Sequence, residues 1–252
     1  MGAPGKDAVA YRTSASVITT RCVLACLSVT VSFLGPLLGE DIANAEDLPL
    51  AMPYVSAFVM RSQPTGGRYS YKGDNIPALT IDPGTGGGVK VGAFFRPLNY
   101  AFGFEWEVFA YDGKLSAPQT TNGGVTRFAN LDFTMVNLMG NVLVQYRGDL
   151  IQPYIGGGAG LAVVVTDGQA QSQGGLQTGS HDMLGFAAQA IAGARLVVTQ
   201  HIFLFAEYKY LVASVRDDPC SEEDKNNGTC RVLGNLNDFQ SNFAVAGIGF
   251  SF

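Results

Sequence analysis

The 252-residue chain is 47% hydrophobic but only 15% charged, with 32 glycines and a formal net charge of −5. An ordinary soluble domain carries about 25% charged residues, and the glycines follow no collagen-like period. Mild acidity without basic clusters sets nucleic acid aside as a partner. Beyond the N-terminal region the uninterrupted apolar runs are short, such as Leu161–Val165 and Ile202–Ala206, far below the ~18 residues that a membrane-spanning helix needs.

At the N-terminus, Arg12 and Arg21 supply a basic n-region before an apolar stretch, Cys22–Leu38, and Ala43-Asn44-Ala45 fits a small-x-small cleavage pattern. Residues 1–45 are therefore expected to be an export signal peptide, cleaved after Ala45, with the mature domain spanning 46–252. The competing reading, a membrane-anchoring helix, is weakened by Gly35-Pro36 and by Glu40 and Asp41 directly after the stretch. A lipoprotein box at Val23-Leu24-Ala25-Cys26 fails because Arg21 stands where the apolar run should be. Lys6, Arg12 and Arg21 balance Asp7, Glu40 and Asp41 within the signal, so the mature domain keeps its charge of −5.

The rest of the chain reads as eight strands of about 10 residues, the length a tilted strand needs to cross a bilayer. Tyr54–Met60, whose facing is the least clear, and Gly88–Phe95 come first. In Tyr100–Tyr111 the even positions are Tyr, Phe, Phe, Trp, Val and Ala, against Gly103, Glu105 and Glu107 on odd ones. Val136–Tyr146 sets apolar even positions against Asn137, Asn141 and Gln145. Tyr154–Val165 sets Ile155, Leu161, Val163 and Val165 against Gly156, Gly158 and Gly160. Phe186–Val198 opposes its apolar even face to Gln189, Gly193 and Arg195, and Ile202–Val212 does so to Glu207 and Lys209. Phe243–Phe252 alternates apolar residues with Gly247, Gly249 and Ser251. The turns at 96–99, 147–152 and 199–201 are short, whereas the connections around 61–86, 112–131, 166–184 and 213–240 are long and polar. A soluble sandwich shares the two-residue period. Alternating turn lengths and a glycine-rich second face, suited to a crowded interior, favour an all-β, eight-stranded antiparallel up-and-down transmembrane barrel.

Glu105-Trp106-Glu107, the run Pro153–Gly160 and the run Phe205–Tyr210 resemble strands of the outer-membrane β-barrel domain family, the OmpA-like and opacity-protein-like eight-stranded barrels of Gram-negative bacteria. The resemblance covers essentially the whole mature domain. It implies that the C-terminal Ile248, Phe250 and Phe252 form the assembly signal read by the barrel-insertion machinery. It also implies a place in the outer membrane, among its lipid and lipopolysaccharide, reached by export through the inner membrane and periplasm. The chain stops at the last strand, so the peptidoglycan-binding domain that larger relatives append is not expected.

An eight-stranded barrel has room inside for little more than its own side chains. Lys90, Glu105, Glu107, Arg195, Glu207 and Lys209 are expected to face inward, three of each sign. Folding about the turn at 96–99 predicts Lys90 opposite Glu105, and the turn at 199–201 predicts Arg195 opposite Phe205 and diagonal to Glu207. Buried charges persist only when partnered, so the set reads as a plug; partners that swap to open a narrow pore are the alternative. Cys220 and Cys230, ten positions apart in a polar segment, are expected to form a loop disulfide in an oxidising compartment. His181 and His201 fall at opposite ends of the barrel without a nucleophile or acid beside them. Neither a catalytic constellation nor a metal or cofactor site is expected. The acidic residues Asp217, Asp218, Glu222, Glu223 and Asp224 read as a solvated loop. The functional expectation is a non-enzymatic outer-membrane barrel with either a structural, envelope-integrity role or a surface-binding role through its extracellular loops, any host or surface ligand being unidentified. A narrow porin-like channel is the alternative, with a lipid A-modifying barrel enzyme ranked below both.

Overall fold

The computed structural model describes residues 50–71, 74–75, 80–95, 99–122, 125–172, 175–217 and 235–252. The ten strands are β1 (Ala51–Tyr71), β2 (Asp74–Asn75), β3 (Thr80–Asp82), β4 (Thr85–Phe95), β5 (Phe102–Asn122), β6 (Val125–Gln145), β7 (Ile151–Ser172), β8 (Gly175–Val197), β9 (Ile202–Asp217) and β10 (Asn235–Ser251). Eight of them form one meander, each antiparallel to its neighbour, and β10 pairs back onto β1 from Phe250↔Val55 to Ser241↔Pro64 and beyond. The sheet therefore closes and leaves no edge at membrane level, which is what backbone needs where there is no water to satisfy it. The small strand β2 pairs antiparallel with the end of β1, while β3 extends β4 by pairing with β5 beyond it. Between β3 and β4 lie Pro83 and Gly84. Proline has no N–H to donate to a ladder, and Gly84 instead bonds Ser62 through its own N–H and carbonyl.

Alternation decides the wall. Val55, Val59, Trp106, Val142, Val144, Ile155, Leu161, Phe186, Leu204, Ile248 and Phe250 point outward, an apolar surface far beyond what a monomeric soluble protein exposes. Aromatic rings sit at its margins. Tyr146, Phe250 and Phe252 lie near the short turns, and Tyr208 and Tyr210 lie towards the long hairpins, donating to Asn242 and Gln240. No helix among the described residues is long and apolar enough to cross a membrane.

Two expectations change. The strands are not about 10 residues long: β5 to β8 run 21, 21, 22 and 23 residues. The connections expected around 112–131 and 166–184 are therefore continuations of the ladder, paired up to Asn122↔Val125 and Ser172↔Gly175. These stretches are rich in Gly, Ser, Thr, Gln and Asn and carry no sustained apolar period by which to read them as strand. The second correction is one of register. Gly92, not Lys90, lies opposite Glu105, and Lys90 lies opposite Glu107. Asn99 and Tyr100 adopt left-handed φ of 53° and 55°, and β5 begins only at Phe102, so the turn takes up two more residues than a simple fold-over about 96–99. A shift of two preserves the face of every side chain and changes only the partner.

The interior also departs from a purely polar, glycine-lined lumen. Tyr54, Phe58, Phe94, Phe109, Tyr111, Phe133, Phe203, Phe205, Phe239 and Phe243 are buried within it. Inward glycines make room for these rings: a Cβ on Gly249 would lie 2.1 Å from the Phe203 ring, and one on Gly247 would lie 2.5 Å from Phe205.

Candidate functional site: the buried charge cluster of the lumen

Because β5 and β9 both turn their odd positions inward, Glu105, Glu107, Glu207 and Lys209 project into the lumen at one level, and Lys90 joins them from β4. All six expected charges, Arg195 included, are buried, none more than 7% exposed. The contacts run across the barrel rather than along one hairpin. Lys90 Nζ donates to Glu207 Oε1 at 2.5 Å and lies 3.3 Å from Glu105 Oε1, the latter a diagonal neighbour. Lys209 Nζ bonds Glu107 Oε1 directly and stands 3.4 Å from Glu207 Oε2.

Neutral donors add to the ion pairs, although Glu207 Oε2 accepts no hydrogen bond among the described residues. Tyr54 Oη donates to Glu105 Oε2 at 2.7 Å, and Tyr154 Oη donates to Glu207 Oε1 at 2.5 Å. Asn141 Nδ2 spans Glu105 and Glu107, 3.1 Å from an oxygen of each. Gln189 Nε2 bonds Glu107 Oε2 at 2.9 Å and Asn141 Oδ1 at 2.8 Å. Phe58 lies under both ammonium groups, 5.4 Å from Lys90 Nζ and 4.8 Å from Lys209 Nζ, close enough for cation–π attraction.

Arg195 is set apart. It lies opposite Phe205 as the turn at 199–201 requires, yet no ion pair joins it to Glu207, whose oxygens are held by Lys90, Lys209 and Tyr154. Its guanidinium instead lies 4.1 Å from the ring centre of Tyr54, 4.6 Å from Phe94, 4.8 Å from Phe203 and 5.5 Å from Tyr154. The rings attract the cation, and the two tyrosines separate it from the carboxylates to which their hydroxyls donate. The direct cluster thus holds two ammonium groups against three carboxylates, and Arg195 balances the charge from one layer below.

The interior is consequently layered. Towards the long hairpins, Phe109, Tyr111, Phe133, Phe239 and Phe243 pack edge to face at 4.9–6.4 Å, and Tyr111 Oη bonds Met135 Sδ at 3.0 Å. The charges form the middle, with Arg195 and its rings towards the short turns. Asn137, fully buried above the charges, has neither amide atom hydrogen-bonded within the described residues.

Tyr54 and Tyr154 were not singled out from sequence. Tyr154 does carry a signal, as the aromatic residue that precedes Gly156, Gly158 and Gly160 on the same face. Cys220, Cys230, Ala43 and Ala45 lie outside the described residues. The backbone of His181 in β8 pairs with Thr166 of β7, and exposed His201 stacks on Phe250 at 5.6 Å, in separate parts of the wall. Ile248, Phe250 and Phe252 all point outward.

A family model described as "Outer membrane protein beta-barrel domain" matches residues 54–252. No curated protein matches the sequence. Among solved structures, Neisserial surface protein A is 14% identical, covering 79% of this chain and 97% of its own, with a TM-score of 0.45. The outer membrane protein OprG from Pseudomonas aeruginosa is likewise 14% identical, over 80% and 95%, with a TM-score of 0.45. Ail, the attachment invasion locus protein of Yersinia pestis, in complex with the heparin analogue sucrose octasulfate, is 16% identical over 81% and 100%, with a TM-score of 0.38.

Proposed function

The chain belongs to the outer membrane protein β-barrel domain family and resides in the outer membrane, and from that premise we propose that it is a non-enzymatic envelope protein whose lumen is plugged and whose binding is carried by its extracellular hairpins. The observation that carries the plug is the interlocked cluster. Three carboxylates and two ammonium groups, each at most 6% exposed, share at least four ion pairs and are roofed by aromatic rings. Opening such an array would strip buried charges of their partners, which costs several kcal/mol per ion.

The hairpins support the surface role. β8 continues to Gly175, but β9 accompanies it only as far as Met183↔Asp217, so the backbone of 175–182 has β7 as its one ladder partner among the described residues. Long hairpins carried clear of the bilayer on a rigid barrel are where binding concentrates. Replacing residues 169–178 with an Asn-Gly turn tests this, because Gly168 and Gly179 already face one another. The barrel should still fold and insert, and adhesion of cells to host or abiotic surfaces should fall; undiminished adhesion would remove the surface role. A narrow channel is the second reading, favoured by the buried Asn137 amide, which lies opposite Phe109 above the cluster and has no hydrogen-bond partner among the described residues.

The cleaved signal over 1–45, the Cys220–Cys230 disulfide, insertion through the terminal Phe252 and contact with lipopolysaccharide complete the proposal.

A further inference from the structure

The end of the barrel that carries the short turns holds a pocket of about 100 Å³. Its rim is formed by the exposed turn residues Thr199 and His201, and its deeper lining includes Gln145 and Arg195, each 7% exposed. Short turns face the periplasm in barrels of this kind, and the charge cluster lies between this pocket and the extracellular side.

Two features of the lining are unmatched. Arg195 is a buried cation with no carboxylate among the described residues at ion-pairing distance; rings surround it, and the Tyr54 hydroxyl is its polar neighbour, which leaves most of the guanidinium's five N–H groups free. Gln145 spends its Nε2 on Tyr100 O at 2.9 Å, which fixes the amide's orientation and leaves its buried Oε1 without a hydrogen-bond partner. The pocket therefore offers a guanidinium fork, which suits oxyanions, together with an acceptor that calls for a donor.

We propose that this pocket is a periplasm-facing site for a small oxyanion that carries its own hydroxyl, of which hydrogen phosphate is the chemical type. Phosphate oxygens accept from Arg195, and the P–OH donates to Gln145 Oε1. The volume admits the ion itself rather than a lipid-sized phosphoester. Sulfate has the same shape and charge but no proton to donate near neutral pH, so it leaves Gln145 unsatisfied. The site stands independently of whether the barrel conducts.

Isothermal titration of the protein, purified from outer membranes in detergent with chloride as background salt, tests the proposal. Inorganic phosphate should give saturable binding and sulfate binding about tenfold weaker, the worth of one hydrogen bond to a charged group. Arg195→Met should abolish phosphate binding, and Gln145→Met should bring phosphate and sulfate to within about twofold of each other by the same reasoning. No saturable phosphate binding, binding that survives Arg195→Met, or equal affinity for the two ions in the native protein would each overturn the assignment. Should Arg195→Met fail to fold, Arg195→Lys decides: it keeps the charge among the rings and loses the fork, so unchanged phosphate affinity would also overturn it.

Discussion

Removing the Lys90 ammonium tests the plug at its most connected cation. Lys90 is 2% exposed and neutralises Glu207 at 2.5 Å and Glu105 at 3.3 Å. In Lys90→Met the lumen keeps three carboxylates against Lys209 and Arg195, so one negative charge is left without compensation. Breaking a buried pair from one side costs about 3–5 kcal/mol. With a urea dependence of about 2 kcal/mol per molar, the unfolding midpoint should fall by about 2 M. Adding Glu207→Gln restores the charge balance, two carboxylates against two cations, while an amide still accepts from Tyr154. The double variant should therefore be more stable than Lys90→Met alone. Trp106, the sole tryptophan, points outward into lipid and reports unfolding by fluorescence without touching the cluster. If the single and double variants lose the same stability, or the single change costs under about 1 kcal/mol as a solvated pair would, the lumen is wet and the reasoning fails.

Deleting Phe252 should lower the amount of folded, heat-modifiable protein in the outer membrane and raise periplasmic degradation; unchanged amounts would reject its part in assembly. Non-reduced digests of protein taken from the outer membrane should contain a linked Cys220–Cys230 peptide, and two free thiols would refute the bridge. Gly249→Ala should destabilise by about 1–3 kcal/mol through overpacking, because its Cβ would lie 2.1 Å from the Phe203 ring. Gly157→Ala should change little, since its outward Cβ meets only Gln189 O at 3.4 Å; equal effects in urea unfolding would contradict the inward packing.

The faces of β5, β6, β8 and β9 were legible because a lipid-facing wall forces apolar residues onto every second position. That rule constrains only the outer face. Phe109, Tyr111, Phe203 and Phe205 sit on the same face as Glu105, Glu107 and Glu207, and a count of polar residues passes over them. A narrow interior filled by its own side chains accepts rings as readily as ion pairs. Partners were harder to read than faces. Lys90 meets Glu207 across 117 residues of sequence, a contact set by closure and stagger of the barrel, to which hairpin arithmetic is blind. The two-residue register error at Lys90 arose in a turn where Asn99 and Tyr100 take left-handed backbone, a conformation asparagine tolerates but tyrosine gives little warning of.

The most direct measurement of the plug is the current carried by the purified native protein in a planar lipid bilayer. A lumen closed by the cluster and roofed by Tyr111, Phe133 and Phe243 predicts no current above that of the bare membrane, from the native protein and the Lys90→Met/Glu207→Gln variant alike. A steady unitary conductance from the native protein, altered by Lys90→Met, would contradict the plug and establish the narrow channel in its place.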